Sequence, residues 1–261
     1  MSANLAGQRV LVTGASRGVG AAIARAFAAA GAQVVITARN VERLEEVRRA
    51  VATAGGNAEV LPGDLSTRAA AREIARRCGD VDTLVNNAAV VSGKQQSLLV
   101  QDDEMWDLQF AVNLQAPVTL IQALTPAMVA KGRGVVINIS SIAVQRPNPF
   151  NAAYAAAKAG LESVTRAAAL LLAATGVRVN ALALGVTATE AWEDMLPPKT
   201  TLEEIGRRIV PIGRAIQANE VAATCLFLTS DAAAAMTGSV ITIDGGAMAG
   251  SPIAGAAMQQ P

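Results

Sequence analysis

The chain has 261 residues, a formal net charge of +1, 52% hydrophobic residues and 16% charged residues. That balance excludes a disordered polar chain and gives no electrostatic basis for a nucleic-acid or membrane-surface partner. No charge-free apolar run approaches the roughly 18 residues a membrane span needs, and no basic-then-apolar leader pattern opens the chain, so the sequence points to a cytoplasmic protein.

Residues 9–13 (Arg-Val-Leu-Val-Thr) read as a strand buried on both faces of a parallel sheet. Residues 19–30 are alanine-rich and free of proline, as suits a helix. Between them lies a Gly-x-x-x-Gly-x-Gly turn formed by Gly14, Gly18 and Gly20, which also holds Ser16, Arg17 and Val19. Glycine permits the tight turn and lets a ligand approach the backbone. The helix that follows aims free N–H groups and its positive dipole end at the turn, a seat for a pyrophosphate.

A second strand over 33–37 ends at Ala38-Arg39. Asn40 can cap a helix over 41–54, which stops at Gly55-Gly56. A third strand over 59–61 leads to Gly63-Asp64-Leu65, and Ser66 caps a helix running to Cys78. The fourth strand, 83–86, runs into Asn86-Asn87-Ala88-Ala89. The helical region 102–131 contains Pro117 and Pro126 and is expected to bend or break there. A fifth strand (135–140), a long alanine-rich helix (151–175) and a sixth strand (177–182) follow. Residues 187–218, with prolines at 197, 198 and 211, break the alternation and hold a helical patch at 202–209. A helix over 219–229 and a strand over 239–243 close the fold at Asp244-Gly245-Gly246. The tail, 247–261, is small, apolar and uncharged.

Alternating βα units predict an α/β fold in a single domain, residues 1–261, with a doubly wound parallel sheet of about seven strands and helices on both faces. Its ligand crevice is expected at the carboxyl ends of the strands. The glycine turn, Arg39, Asp64, Asn86, Ser141 and Gly185 all fall there.

The chain contains no histidine. That excludes Ser-His-Asp hydrolysis, His-activated cysteine chemistry and most catalytic zinc sites, and no metal site is expected. Cys78 and Cys225 read as free thiols in helical settings. Tyr154 is the one tyrosine, and Lys158 lies four residues on, so a helix places both on one face. A free tyrosine titrates near 10, and a neighbouring ammonium favours its phenolate, which makes Tyr154 a candidate proton exchanger. Ser141 can hydrogen-bond the same substrate oxygen.

These residues resemble the short-chain dehydrogenase/reductase family. The resemblance rests on Thr13-Gly14-x-x-x-Gly18-x-Gly20, Asp64-Leu65, Asn86-Asn87-Ala88, Asn113, Ser141, Tyr154-x-x-x-Lys158 and Asp244-Gly245-Gly246, in that order over about residues 7–246. It implies a Rossmann-type fold and NADP(H)- or NAD(H)-dependent hydride transfer between a ketone and a secondary alcohol. Tyr154 would be the general acid/base, and Lys158 would lower its pKa and hold the nicotinamide ribose. Ser141 would position the substrate oxygen, Ser140 being the weaker candidate, and Asn113 would support a water relay behind Lys158. Thr187 and Thr189, past Gly185, fit the family's contacts to the carboxamide and phosphates. Two departures stand out: the family's Asn-Asn-Ala-Gly ends in Ala89, and its Pro-Gly reads Leu184-Gly185.

An acidic group at the end of the second strand usually reads a ribose 2′-hydroxyl. Here Ala38 stands there, followed by Arg39, with Arg17 in the glycine turn. Two guanidiniums and no carboxylate favour a 2′-phosphate, hence NADP(H) over NAD(H). The expected cofactor set is therefore Gly14, Ser16, Arg17, Gly18, Val19, Gly20, Arg39, Asp64, Leu65, Asn87, Ala88, Tyr154, Lys158, Gly185, Thr187 and Thr189. The expected substrate lining is Ala143, Pro147, Phe150, Leu184, Trp192, Met195 and Leu196, under a mobile lid at 187–218. That lining predicts apolar, fairly bulky carbonyl substrates. Reduction of a 3-oxoacyl thioester on a carrier protein is an alternative that Lys199, Arg207, Arg208 and Arg214 would favour. A non-catalytic dinucleotide-binding regulator is another. The family commonly forms tetramers, and the alanine-rich helix after Asn151 permits close helix packing, so a homotetramer is expected.

Overall fold

Side chains alternate across each strand, and both faces of the sheet are covered. On β1 (Arg9–Thr13), Val10 and Val12 enter one buried apolar cluster while Leu11 enters another. On β5 (Gly134–Ser141), Val135, Ile137 and Ile139 divide from Val136 in the same way. Strands apolar on both faces belong in a parallel sheet between layers of helices.

That is the architecture of the computed structural model, which describes residues 4–91, 97–196 and 198–250. The main sheet runs in the order β3 (Asn57–Val60), β2 (Gln33–Thr37), β1, β4 (Thr83–Asn86), β5, β6 (Val177–Leu184) and β9 (Val240–Ile243). All of these pairs are parallel. Between β6 and β9 the chain forms β7 (Thr187–Ala188) and β8 (Ile216–Gln217), which pair with each other in a small separate sheet. Helices α1 (Gly18–Ala29), α2 (Val41–Thr53) and α9 (Ala218–Thr229) pack into one cluster. Helices α3 (Arg68–Cys78), α5 (Ala116–Ala130) and α6 (Ala152–Leu172) pack into the other. The chain runs outward from β1 to β3 and returns on the far side of β1 as β4. That reversal opens a crevice at the carboxyl ends of β1 and β4.

Most expected elements appear, and the differences have local causes. Strand β3 takes residues 57–60 rather than 59–61. Asn40 caps α2 by accepting the Arg43 N–H at 2.8 Å. The cap of α3 is Thr67, not Ser66: the Thr67 hydroxyl accepts the Ala70 N–H at 3.1 Å, while the Ser66 N–H goes to the Asp64 carboxylate at 2.9 Å. Strands β5 and β6 reach Ser141 and Leu184 because their parallel register continues to that pair. The patch at 202–209 is helix α8 (Leu202–Ile209), closed by a Thr201–Glu204 capping box. Pro197 and residues 251–261 of the expected tail lie outside the described residues.

The helical region 102–131 does break, at a π turn just before Pro117. Helix α4 (Asp103–Phe110) passes into a π turn at Ala111–Gln115 before α5 begins. Pro117 sits in the first turn of α5, where its missing N–H falls opposite the π turn, and Pro126 lies inside the helix. The π turn carries Asn113, which is fully buried. Its amide receives the Val90 N–H at 3.0 Å and donates to the Val90 carbonyl at 2.8 Å, fixing the exit of β4 to this helix.

Asn86, expected at the crevice, instead turns into the sheet and donates to the Asn138 side chain at 2.8 Å. Cys78 and Cys225 are buried free thiols. No described helix is long and apolar enough to cross a membrane, and no cluster of metal-ligating side chains forms among the described residues.

The ends of β1 and β4 are joined by one hydroxyl. Thr13 accepts the N–H groups of Asn87 and Ala88 at 2.9 and 3.0 Å and donates to the Val85 carbonyl at 3.3 Å. Thr13→Val keeps the shape and orphans two backbone donors. It is expected to lower the unfolding free energy by about 2–4 kcal/mol, read from urea melts. A loss below about 0.5 kcal/mol would show that solvent replaces the hydroxyl.

Candidate active site

The floor of the crevice is the glycine turn. Gly14 and Gly18 have φ of +65° and +55°, where side chains are strained. A Cβ on Gly14 would come within 2.7 Å of the Ala88 Cα. A Cβ on Gly20 would collide with the Gly14 carbonyl and with the Asn87 amide. That amide donates to the Thr13 and Gly14 carbonyls at 2.8 and 3.1 Å, so the turn is braced from behind and its N-terminal helix end faces the crevice. A side-chain-free cradle at a helix N-terminus suits a dinucleotide pyrophosphate.

The reactive side is built by α6 lying on β5. Asn138 donates to Thr165 at 2.9 Å, Lys158 donates to the Ile139 carbonyl at 2.7 Å, and Ser140 donates to Glu162 at 2.8 Å. Lys158, Glu162 and Thr165 are spaced i, i+4, i+7, one helical stripe, and all are buried. Ser140 is thereby engaged within the core. Ser141, the next residue, has the opposite strand orientation and faces the cavity, with its hydroxyl accepting the Ala143 N–H at 3.1 Å. Tyr154 lies one turn before Lys158, whose Nζ is 5.7 Å from the centre of the phenol ring.

Burial sets the protonation of this pair. The Tyr154 phenol is pushed above its ordinary value by loss of solvent, with the Ser141 hydroxyl working the other way. The Lys158 ammonium is pushed down to about 8 by the same desolvation. Desolvation of the phenolate outweighs the Ser141 bond, so the net displacement of Tyr154 is upward, and the Lys158 ammonium bonds the Ile139 carbonyl.

One cavity of about 1070 Å³ joins the two sides. Every residue of the expected cofactor set lines it, as do Ser141, Ala143, Phe150, Leu184, Trp192 and Met195. Ala89 and Leu184, the two departures, form part of the wall. Besides Asn86, three expected residues do not line it. Pro147 and Leu196 fall outside, the first because residues 145–150 form an exposed loop that presents Arg146, Asn148 and Phe150 instead. Asn113 is behind the wall, its side chain committed to Val90, so only its backbone is available to a water relay. Arg17 lines the cavity but is ion-paired with Asp194 at 2.9 Å, just past the short helix α7 (Glu190–Glu193).

Sequence reasoning missed two groups of lining residues. Arg43, in the first turn of α2, stands beside Arg39 at the nucleotide end, and neither has an ion pair among the described residues. A cation one turn into a helix works against the helix dipole, a signal that could have flagged it. Arg146, Asn148 and Asn151 line the substrate end, where apolar residues alone were expected.

The folded Lys158 pKa, about 8, lies below its ordinary 10.5. Below pH 8 both the folded and unfolded chains hold the proton, and the buried ammonium costs stability in full. Between 8 and 10.5 the unfolded chain binds the extra proton, so stability rises with pH. Wild type is expected to gain up to about 3 kcal/mol relative to Lys158→Met across that window, measured by denaturant melts. A pH-independent difference would mean the ammonium is solvated.

The family model described as enoyl-(acyl carrier protein) reductase matches residues 14–248. L-xylulose reductase of Bos taurus is 36% identical over 254 residues, 95% of this chain and 100% of that protein. Gluconate 5-dehydrogenase of Gluconobacter oxydans is 32% identical, over 93% of this chain and 95% of that protein. The crystal structure of a 3-oxoacyl (acyl-carrier-protein) reductase from Agrobacterium tumefaciens with NADP bound superposes with a TM-score of 0.86 at 35% identity, covering 93% of this chain and 95% of that one. With the braced glycine cradle and the Ser141–Tyr154–Lys158 grouping in one crevice, these likenesses make the chain a member of the short-chain dehydrogenase/reductase family of oxidoreductases.

Proposed function

We propose that this protein interconverts a ketone and a secondary alcohol with NADP(H) in preference to NAD(H), and that Tyr154 is its proton donor and acceptor. One observation carries the reading: the β5–α6 ladder brings Ser141, Tyr154 and Lys158 into the same cavity as the glycine cradle. The nicotinamide, when bound, supplies or accepts the hydride. The hydroxyls of Ser141 and Tyr154 hold the substrate oxygen. Burial keeps the Tyr154 phenol protonated at neutral pH, so in reduction it hands its proton to the oxygen as negative charge develops there. The Lys158 ammonium, close to the ring, stabilises the phenolate left behind. In oxidation the same proton returns to Tyr154. Among similar proteins, the names L-xylulose reductase and gluconate 5-dehydrogenase point to polyhydroxylated substrates.

The carrier-protein alternative called for a basic surface near the mouth. Arg207 is paired with Glu203, and Arg214 meets Glu220 through two hydrogen bonds at 2.8 Å. That compensates two of the four basic residues, while Lys199 and Arg208 have no ion pair among the described residues, so the carrier-protein alternative stays open. Leu170 and Leu171 on α6 are 85% and 79% exposed, which supports the reading of a homo-oligomer, a tetramer as the family suggests.

The preference for NADP(H) rests on Ala38, which offers no carboxylate, and on Arg39 and Arg43. Arg17 contributes less because Asp194 already engages it. Charge-assisted bonds to a phosphate are worth roughly 1.5–3 kcal/mol each, so kcat/KM should favour NADPH by about tenfold to a few hundredfold. Arg39→Ala and Arg43→Gln should each lose more of that preference than Arg17→Ala. Arg43→Gln should also raise the Tm of the cofactor-free protein, by relief of the helix dipole. Equal or better kcat/KM with NADH in wild type would overturn the assignment.

Tyr154→Phe should abolish turnover while NADPH binding, followed by fluorescence, persists. For wild type, the reduction rate should fall as pH rises past about 8, where Lys158 loses its charge. A kcat near wild type in the phenylalanine variant would remove Tyr154 from the chemistry.

A further inference from the structure

The loop between Ser141 and α6 presents hydrogen-bond donors to the cavity and withholds its acceptors. Asn148 Oδ1 accepts the Phe150 N–H at 2.9 Å, and Asn151 Oδ1 accepts the Asn148 N–H at 3.2 Å. Those backbone donors fix both amide orientations and leave the two NH₂ ends free among the described residues. Arg146 gives one Nη1 bond, 2.8 Å, to the Ala247 carbonyl, which steadies the guanidinium without neutralising it. Its other N–H groups have no partner among the described residues. All three residues line the cavity with Ser141 and Tyr154. The one carboxylate along that cavity, Asp64, belongs to the far, nucleotide end and accepts the Ser66 N–H.

We infer that the substrate carries a carboxylate, bound by Arg146, Asn148 and Asn151, while its ketone or alcohol meets Ser141 and Tyr154. A neutral polyol offers hydroxyls that both donate and accept, so it would leave a donor-only rim half matched. An ionised carboxylate only accepts, and its planar oxygens fit a planar guanidinium flanked by amide donors. The uncharged wall of Phe150, Trp192 and Met195 then covers the carbon chain between the two ends. The substrate class is an oxo acid and its hydroxy acid. This deepens the proposed reductase reading and rests on it for the position of the reacting carbon.

The test pairs a 5-oxohexonate with a neutral ketohexose of equal length, each reduced by the full chain at saturating NADPH. In wild type the acid should lead in kcat/KM by about tenfold or more, mainly through KM. Arg146→Gln should collapse that acid-to-neutral ratio, and Arg146→Lys should restore part of it. Asn148→Asp should lower the ratio without touching the Ala247 contact. A second arm measures binding of hexonate against hexitol to the NADP⁺-loaded enzyme by thermal shift. Tighter binding of hexonate that Arg146→Gln abolishes supports the inference whether or not turnover is seen. A wild-type ratio near one, a ratio indifferent to Arg146, or preference for a ketose phosphate would overturn it. Absence of turnover with every carbonyl tried, alongside selective hexonate binding, would instead defeat the reductase reading and leave the carboxylate site standing.

Discussion

The chemistry of this protein depends on how α6 is seated against β5. Apolar packing alone lets a helix slide along a sheet at little cost, because burial is non-directional. Here Asn138, Ile139 and Ser140 each bond a different residue of one α6 stripe, Thr165, Lys158 and Glu162. A slip by one residue would orphan all three buried contacts at once, and unsatisfied buried polar groups cost about 1–3 kcal/mol apiece. The ladder therefore sets both rotation and height of the helix. Tyr154, one turn above the ladder, and Ser141, one residue beyond it, inherit that register. The chain continues to β4 through the Asn86–Asn138 amide pair, and from β4 to the π turn through Val90 and Asn113. Catalytic and cofactor sides of the crevice are thus tied by buried polar bonds rather than by fit of apolar shapes.

What the sequence made legible follows from the range of each signal. Strand, turn and helix around Gly14–Gly20 are local, and the structure places them as the residues suggest. The Tyr154–Lys158 pairing needs only helical periodicity. Ser141 over Ser140 was favoured by its interval to the tyrosine, and the structure adds a reason, since Ser140 is engaged by Glu162. Contacts between distant elements were not legible. Nothing in the sequence says that Arg17 meets Asp194, or that Asn113 serves Val90 with its whole amide. The exchange of Ser66 for Thr67 as a helix cap has the same origin: Asp64 claims the Ser66 N–H, and the cap moves one residue on.

The same limit explains the substrate end. Read as a list, Ala143, Pro147, Phe150 and Leu184 are apolar, and an apolar pocket follows. The loop 145–151 does not present residues in strand or helix order, so periodicity cannot say which of them turn inward. Backbone N–H groups of Asn148 and Phe150 fold onto asparagine oxygens, and that folding exposes the donors. Pro147, between Arg146 and Asn148, is carried away from the cavity.

Both ends of the crevice then share one electrostatic logic. At one end Arg39 and Arg43 stand without ion pairs among the described residues; at the other, Arg146 stands with two amides. Between them the buried ammonium of Lys158 is the third positive site, close to a phenol that burial keeps neutral. The one carboxylate along the cavity is bonded to backbone. A protein with a net charge of +1 has no global field to speak of, so this cationic lining is local. Local cations with little compensation are destabilising in isolation, by mutual repulsion, by the helix dipole at Arg43 and by desolvation at Lys158. They persist because the fold around them is over-determined: the Thr13 hydroxyl, the Asn113 amide and the β5–α6 ladder hold the walls whether or not the charges are matched. In the proposed reaction Arg39, Arg43 and Arg146 meet charge already present in the ground state and contribute to affinity. Lys158, close to the Tyr154 ring, meets charge that appears only as the carbonyl is reduced, which is where binding contributes to rate.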